Sequence, residues 1–210
     1  MFIHKSQVLF LCYSIPMKYA EKKKIGLLFG SFNPIHNGHV ALGQAALDAG
    51  LVNEVWYVVS PHNPDKPLGS LAPFEDRLEM VRRATVSNPD MQVCDIEDEL
   101  PRPSYTFHTL RALRAKYIDY AFSIIAGDDI LRSILAWEYG DEIVTYHDLI
   151  VRNRSNIPVD VPHGIRAMFL PGVLELSATD VRGMISGNQK PTEVIPRAVH
   201  DYIEERGLYR

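Results

Sequence analysis

Cysteine is nearly missing from this sequence: the 210 residues hold two, Cys12 and Cys94, far apart in the chain. That excludes a disulfide framework and leaves no cysteine pair with metal-binding spacing. So few thiols, so placed, point to a cytoplasmic chain. Positive charge is also in short supply. The 22 Lys and Arg are outnumbered by 26 Asp and Glu, for a net charge of −4, so charge gives no sign of a nucleic-acid partner. Long apolar runs are lacking too. The first, Val8–Tyr13, is far shorter than the ~20 residues that a membrane span needs. Lys5 ahead of it gives the outline of a signal peptide, but no clear small-residue cleavage site follows. No membrane partner is expected. Met17 is the simpler start, which would make residues 1–16 an upstream extension without a role in the fold. Residues 1–23 are expected to stand apart from a single domain over 24–210. The chain shows no internal repeat, no low-complexity tract and no linker that would divide it further.

What the chain has is alternation. Apolar runs of strand length fall at 25–29, 54–60, 91–96, 120–126, 148–151 and 167–170. Stretches rich in helix formers or with helical spacing fall at 40–47, 73–86, 104–117, 177–186 and 196–206. This order predicts an α/β chain with a parallel sheet covered by helices. Tyr120–Ala126 is almost continuously apolar, as a central parallel strand would be. In the helix over 73–86, Leu78, Val81 and Thr85 or Ala84 share the inner face. Glu75, Asp76, Arg82 and Arg83 are expected to meet solvent. Ligands of open parallel sheets bind beyond the carboxyl ends of the strands, so the loops there are where chemistry belongs.

The loop after the first strand is the most informative. It reads Gly30-Ser31-Phe32-Asn33-Pro34-Ile35-His36-Asn37-Gly38-His39 and runs into the first helix. His36 and His39 are three residues apart, so both imidazoles would point to one side. They would flank the unpaired N–H groups of the helix N-terminus, which attract anions. Gly30 and Gly38 carry no Cβ and let a phosphate approach the backbone, and Asn33-Pro34 is a turn pair. A polyphosphate is the natural guest, because N–H and imidazole groups stabilise the charge that develops when one of its bonds breaks. Two plainer accounts stand beside this one: a strand-to-helix junction without a ligand, and a metal pair. A zinc site, however, wants a third ligand and usually four-residue spacing.

Two more loops carry matching chemistry. In Leu176-Ser177-Ala178-Thr179-Asp180-Val181-Arg182, Ser177 and Asp180 fit a capping box. Thr179 and Arg182 would share the face at that helix's start, where hydroxyl, guanidinium and backbone N–H groups form a phosphate clamp. Gly127-Asp128-Asp129 ends the central strand. A carboxylate there either holds ribose hydroxyls or caps the next helix.

The stretch from Gly30 to His39 resembles the (H/T)xGH nucleotidyltransferase superfamily, and in its fuller form the bacterial nicotinate-nucleotide adenylyltransferases. The resemblance runs from about Lys24 to the C-terminus, where Gly207-Leu208-Tyr209-Arg210 is similar to a common ending of that family. It implies a single Rossmann-like domain, a parallel sheet with helices on both faces. It implies transfer of the adenylyl group of ATP to nicotinate mononucleotide, giving nicotinate adenine dinucleotide and pyrophosphate in NAD biosynthesis. Mg²⁺ would be the cofactor, bound mainly through the ATP phosphates, with no residue assigned as a metal ligand. The resemblance assigns ATP to Gly30, Ser31, Phe32, His36, Gly38, His39, Ser177, Thr179 and Arg182, with His36, His39 and Arg182 catalytic. It assigns the acceptor nucleotide to Asn33, Tyr105, Thr106, Gly127, Asp129, Trp137 and Arg154. Thr106, in Pro103-Ser104-Tyr105-Thr106, would donate a hydrogen bond. Trp137 would stack on the pyridine ring, and Asp129, through the motif G-x-D, would bind ribose.

The sequence departs from the family in places. The loop Pro61-His62-Asn63-Pro64-Asp65-Lys66 is shorter than the family's P-N-x-x-P-P-H-(K/R), so no role carries over to His62. Lys66 is either a phosphate contact or a solvated loop residue. Arg154 lacks the Pro-Gly that follows its counterpart, and Leu176 stands for isoleucine.

The implied chemistry needs few parts. A mononucleotide phosphate has its second pKa near 6, so it attacks the α-phosphorus of ATP without a general base, and catalysis is positioning and charge stabilisation. His36 and His39 would serve the α-phosphoryl group, and Thr179 and Arg182 the leaving pyrophosphate. The alternatives are another acceptor, nicotinamide mononucleotide or phosphopantetheine, or a nucleotide sensor without catalysis. The P-S-Y-T string and Trp137 argue against phosphopantetheine, which has no aromatic ring to stack. Whether the chain forms a homo-oligomer is left open.

Overall fold

The apolar runs pair into one sheet, and their order decides where a ligand belongs. The computed structural model describes residues 22–64, 66–67, 69–152, 160–171, 176–189 and 191–210. The strands are β1 (Lys23–Gly30), β2 (Glu54–Val59), β3 (Met91–Cys94), β4 (Tyr120–Gly127), β5 (Leu149–Arg152) and β6 (Ala167–Leu170). They lie in the order β3-β2-β1-β4-β5-β6, and every neighbouring pair is parallel. Chain connectivity therefore reverses between β1 and β4. In doubly wound sheets the crevice at that reversal, beyond the strands' carboxyl ends, is the binding site.

The helices are α1 (Asn37–Asp48), α2 (Phe74–Thr85), α3 (Thr106–Lys116), α4 (Ile130–Ser133), α5 (Gly140–Tyr146), α6 (Ala178–Ser186) and α7 (Arg197–Arg206). Strand side chains alternate between two buried clusters. Leu28, Val55, Tyr57, Val59 and Ile150 face one, with Leu42 of α1, Leu78 and Val81 of α2, Val181 of α6 and Val199 of α7. Ile25, Leu27, Val58, Ile124 and Leu149 face the other, with Leu110 and Leu113 of α3 and Ile143 of α5. Burial on both faces explains the continuous apolar runs. At Gly43 of α1, a Cβ would meet the Tyr57 hydroxyl at 2.4 Å, so this glycine lets α1 lie close over β2.

The helix over 73–86 requires a correction. Asp76 does not meet solvent: it is 4% exposed, and its Oδ1 accepts from the Tyr202 hydroxyl at 2.7 Å and from Arg206 Nε at 3.1 Å. Partners supplied by α7 turn a surface position into a buried one. The strand expected over 91–96 stops at Cys94, and Ile96 opens the 3-10 turn Ile96–Glu99; the 3-10 turn Ile134–Ala136 and the short helix α5 lie outside the expected elements. Each is too short to show a helical period.

Candidate active site

The loop between β1 and α1 puts both histidines at the helix start. His36 is the N-cap, with extended backbone (φ −139°, ψ 168°). The two residues take the reciprocal places of a capping box. One half closes: the His36 N–H donates to His39 Nδ1 at 3.3 Å. His36 Nδ1 stays buried without a partner among the described residues. The rings stack, with centroids 3.7 Å apart, and the buried Phe32 ring meets His39 edge-on at 5.1 Å.

This packing sets the charge state. Burial pushes His36 down to about 4, against a smaller upward pull from Asp180. Burial, and then the neighbouring His36, hold His39 well below the ordinary histidine value. Both imidazoles are neutral near pH 7. Because His39 Nδ1 accepts a hydrogen bond, its proton sits on Nε2, which makes Nε2–H a donor at the mouth of α1.

The second motif meets the first. Ser177 caps α6: the Asp180 N–H donates to Ser177 Oγ at 3.2 Å, and the Ser177 N–H to Asp180 Oδ2 at 3.2 Å. Arg182 Nη1 donates to the Asn33 carbonyl at 2.8 Å, and Nη2 to Thr179 Oγ1 at 3.1 Å. Arg182 thus joins the two loops across 149 residues of sequence and spends two of a guanidinium's five donors in doing so. Two helix N-termini, two neutral imidazoles, a hydroxyl and a guanidinium meet in one place. Such a set supplies the donors and positive potential that a polyphosphate requires.

A cavity of about 400 Å³ opens at the carboxyl end of β1, and Gly30, Ser104, Tyr105, Thr106 and Trp137 are among the residues that line it. Trp137 is 37% exposed. Gly30 lines this cavity, and a Cβ there would press on the Phe32 ring at 3.1 Å. Gly127 ends β4 across the crevice, and Asp129 is exposed just beyond it at the start of α4.

Other expected residues are placed differently. Asn33 is a structural hub: its Oδ1 accepts from the Ala72 N–H and the Tyr209 hydroxyl, each at 2.9 Å. Phe32 has a positive φ of 45° and a buried side chain that packs edge-on beneath His39. Lys66 is exposed and outside the cavity lining, whereas Asn63 and Pro64 are part of it. Arg154 lies outside the described residues.

Two contributors escape the sequence motifs. Arg77, 1% exposed, donates to the carbonyls of Ser31 and Ser60 at 2.7 Å each, of Ala72 at 3.0 Å and of Pro61 at 3.1 Å. Burial lowers it to about 10, so it keeps its charge while tying the β1–α1 loop to both ends of the β2–α2 loop. Its signal was its place beside Phe74, Leu78 and Val81 on the inner side of α2. The other is the role of Tyr209, legible in the sequence only as part of the C-terminal string: its hydroxyl donates to Asn33 across 176 residues.

With this geometry in view, similarity to known proteins becomes specific. The cytidylyltransferase-like family model matches residues 27–184, a span that holds both motifs. A probable nicotinate-nucleotide adenylyltransferase of Cytophaga hutchinsonii is 38% identical over 189 residues, covering 89% of this chain and 98% of that one. The chain belongs to the nicotinate-nucleotide adenylyltransferase family. Its probable member from Thermus thermophilus is 35% identical over 188 residues, covering 89% of this chain and all of the relative. Among solved structures, Plasmodium falciparum nicotinic acid mononucleotide adenylyltransferase complexed with NaAD matches with a TM-score of 0.76 at 21% identity, covering 89% of this chain and 97% of that one. At that identity the likeness is one of fold. It extends to the single α/β unit and its all-parallel sheet. No helix among the described residues is long and apolar enough to cross a membrane.

Proposed function

We propose that the chain transfers the adenylyl group of ATP to nicotinate mononucleotide, a step of NAD biosynthesis, with the crevice between β1 and β4 as its active site. The observation that carries this reading is the junction of the α1 and α6 N-termini through Arg182, beside an aromatic-lined cavity. The triphosphate of ATP lies at the junction and the pyridine ring lies against Trp137. The acceptor's phosphate oxygen forms a bond to the α-phosphorus, and the bond from that phosphorus to the bridging oxygen of pyrophosphate breaks. No proton has to be removed from the nucleophile, whose second pKa is about 6.

His39 Nε2–H and the α1 backbone donate to the α-phosphoryl oxygens as charge shifts. Neutral imidazoles suit this task, since they donate without competing for a proton. Thr179 and Arg182 hold the departing pyrophosphate, and Asp129 binds ribose hydroxyls. Among the described residues no group of three His, Cys, Asp or Glu is placed to hold a metal ion. Magnesium in this proposal is carried by the triphosphate and water, and no step is assigned to it. The reading includes a cytoplasmic location, where ATP is at hand.

The test is pyrophosphate release from ATP and Mg²⁺ with nicotinate mononucleotide, nicotinamide mononucleotide or phosphopantetheine as acceptor. Release with nicotinate mononucleotide in clear preference is expected. Release with phosphopantetheine alone would overturn the cavity assignment, and no release with any acceptor would favour a nucleotide sensor.

A further inference from the structure

The chain ends in a short tail for which the proposed chemistry has so far no use. Helix α7 stops at Arg206, and Gly207, with φ 63°, turns the backbone back. The Leu208 N–H donates to the Ile203 carbonyl at 3.1 Å, and Leu208 and Tyr209 pack against the buried cluster of Leu28, Tyr57 and Val181. Tyr209 itself has φ 64°, a left-handed backbone that bulky residues rarely take. Such a conformation persists only where its surroundings hold it.

What holds it is the first loop. Tyr209 Oη donates to Asn33 Oδ1 at 2.9 Å, and the Ala72 N–H donates to the same oxygen at 2.9 Å. Both lone pairs of that oxygen are taken, on a residue that is buried. The backbone carbonyl of the same Asn33 receives Arg182 Nη1 at 2.8 Å. One residue therefore carries the tail on its side chain and the arginine on its main chain. Two residues earlier, Arg77 pins the Ser31 carbonyl at 2.7 Å. Burial raises the Tyr209 pKa above the ordinary tyrosine value, against smaller downward pulls from Arg77 and Arg182. The hydroxyl is thus a proton donor throughout the neutral range.

We propose that Tyr209 is a positioning residue of the transfer: by holding the Asn33 side chain it fixes the Asn33 carbonyl, and with it the aim of Arg182 at the departing pyrophosphate. Tyr209 acts through Asn33 and not on a nucleotide. Without the hydroxyl, one lone pair of a buried oxygen is left open, and the Ala72 N–H alone anchors the side chain. The carbonyl is then free to tilt, and the guanidinium keeps only its bond to Thr179 as a firm rest. A misplacement of about 1 Å is enough to cost rate. This inference rests on the reading of the junction as the triphosphate site.

The experiment removes the hydroxyl and keeps the ring. Single-turnover transfer to nicotinate mononucleotide at saturating ATP and Mg²⁺ is timed in wild type, Tyr209→Phe, Arg182→Ala and the double variant, each checked for fold by circular dichroism and urea unfolding. The KM for nicotinate mononucleotide is measured beside it. Tyr209→Phe is expected to transfer about tenfold more slowly, the size of one hydrogen bond, with that KM unchanged. In the Arg182→Ala background the same substitution should cost nothing further, because the group it positions is gone. A hydroxyl that serves stability alone would lower the urea midpoint and leave the rate of the folded variant at the wild-type value, and that result overturns the proposal. So does a second tenfold loss in the Arg182→Ala background, which would show that the hydroxyl does not act through Arg182. Failure of the functional reading looks different: wild type itself then transfers nothing to nicotinate mononucleotide, and the positioning role falls with it.

Discussion

His36 and His39 illustrate how far burial decides chemistry at single residues. Exposed histidines titrate near 6.5 and would be part-charged at neutral pH. Here stacking and burial hold both neutral, and one backbone hydrogen bond fixes the tautomer of His39. The same effect makes stability depend on pH. As pH falls below about 6.5 the unfolded chain takes up protons that folded His36, held down to about 4, does not. The fold keeps this contribution above about 6.5 and loses it as pH falls through the folded value near 4. Urea midpoints of the ligand-free chain should therefore drop across that interval. His36→Asn should flatten the drop, and an equal drop in that variant would refute the assignment.

Elements matter through what they deliver to the crevice. Helix α1 sits close over β2 because Gly43 leaves room for Tyr57, and the Tyr57 hydroxyl reaches back to the His39 carbonyl at 3.4 Å. Helix α2 delivers Arg77, and its four carbonyl partners would be left unpaired by Arg77→Met. We expect a loss of roughly 3 kcal/mol or more in urea unfolding, with activity lost in parallel. A variant of unchanged stability would show that the clamp is idle. These tertiary roles mark the limit of what sequence reveals. All six strands and the Ser177–Asp180 capping box were legible, because apolar periodicity and local hydrogen bonding are written in adjacent residues. The buried roles of Asp76 and Arg77, and the bond that Tyr209 makes, were not, because each depends on partners distant in sequence. Asn33 was legible as a turn residue, but not as the hub where Ala72, Tyr209 and Arg182 converge.

At the level of the whole molecule, the strand order places the first motif and Gly127 at one topological reversal. The last helices then bring Arg182 and Tyr209 back to the first loop. The N-terminal and C-terminal parts of the chain thus build one site. Gly30, the first residue of that motif, lines the neighbouring cavity together with Tyr105, Thr106 and Trp137. The central claim is that this junction stabilises charge at the α-phosphorus rather than merely holding ATP. Single-turnover adenylyl transfer to nicotinate mononucleotide, in wild type and His39→Ala, tests it most directly. The expected result is a rate lower by about 10²–10³-fold, the worth of one preorganised donor, with ATP affinity nearly unchanged and the fold intact. A folded His39→Ala chain that turns over at a near-normal rate would contradict the account.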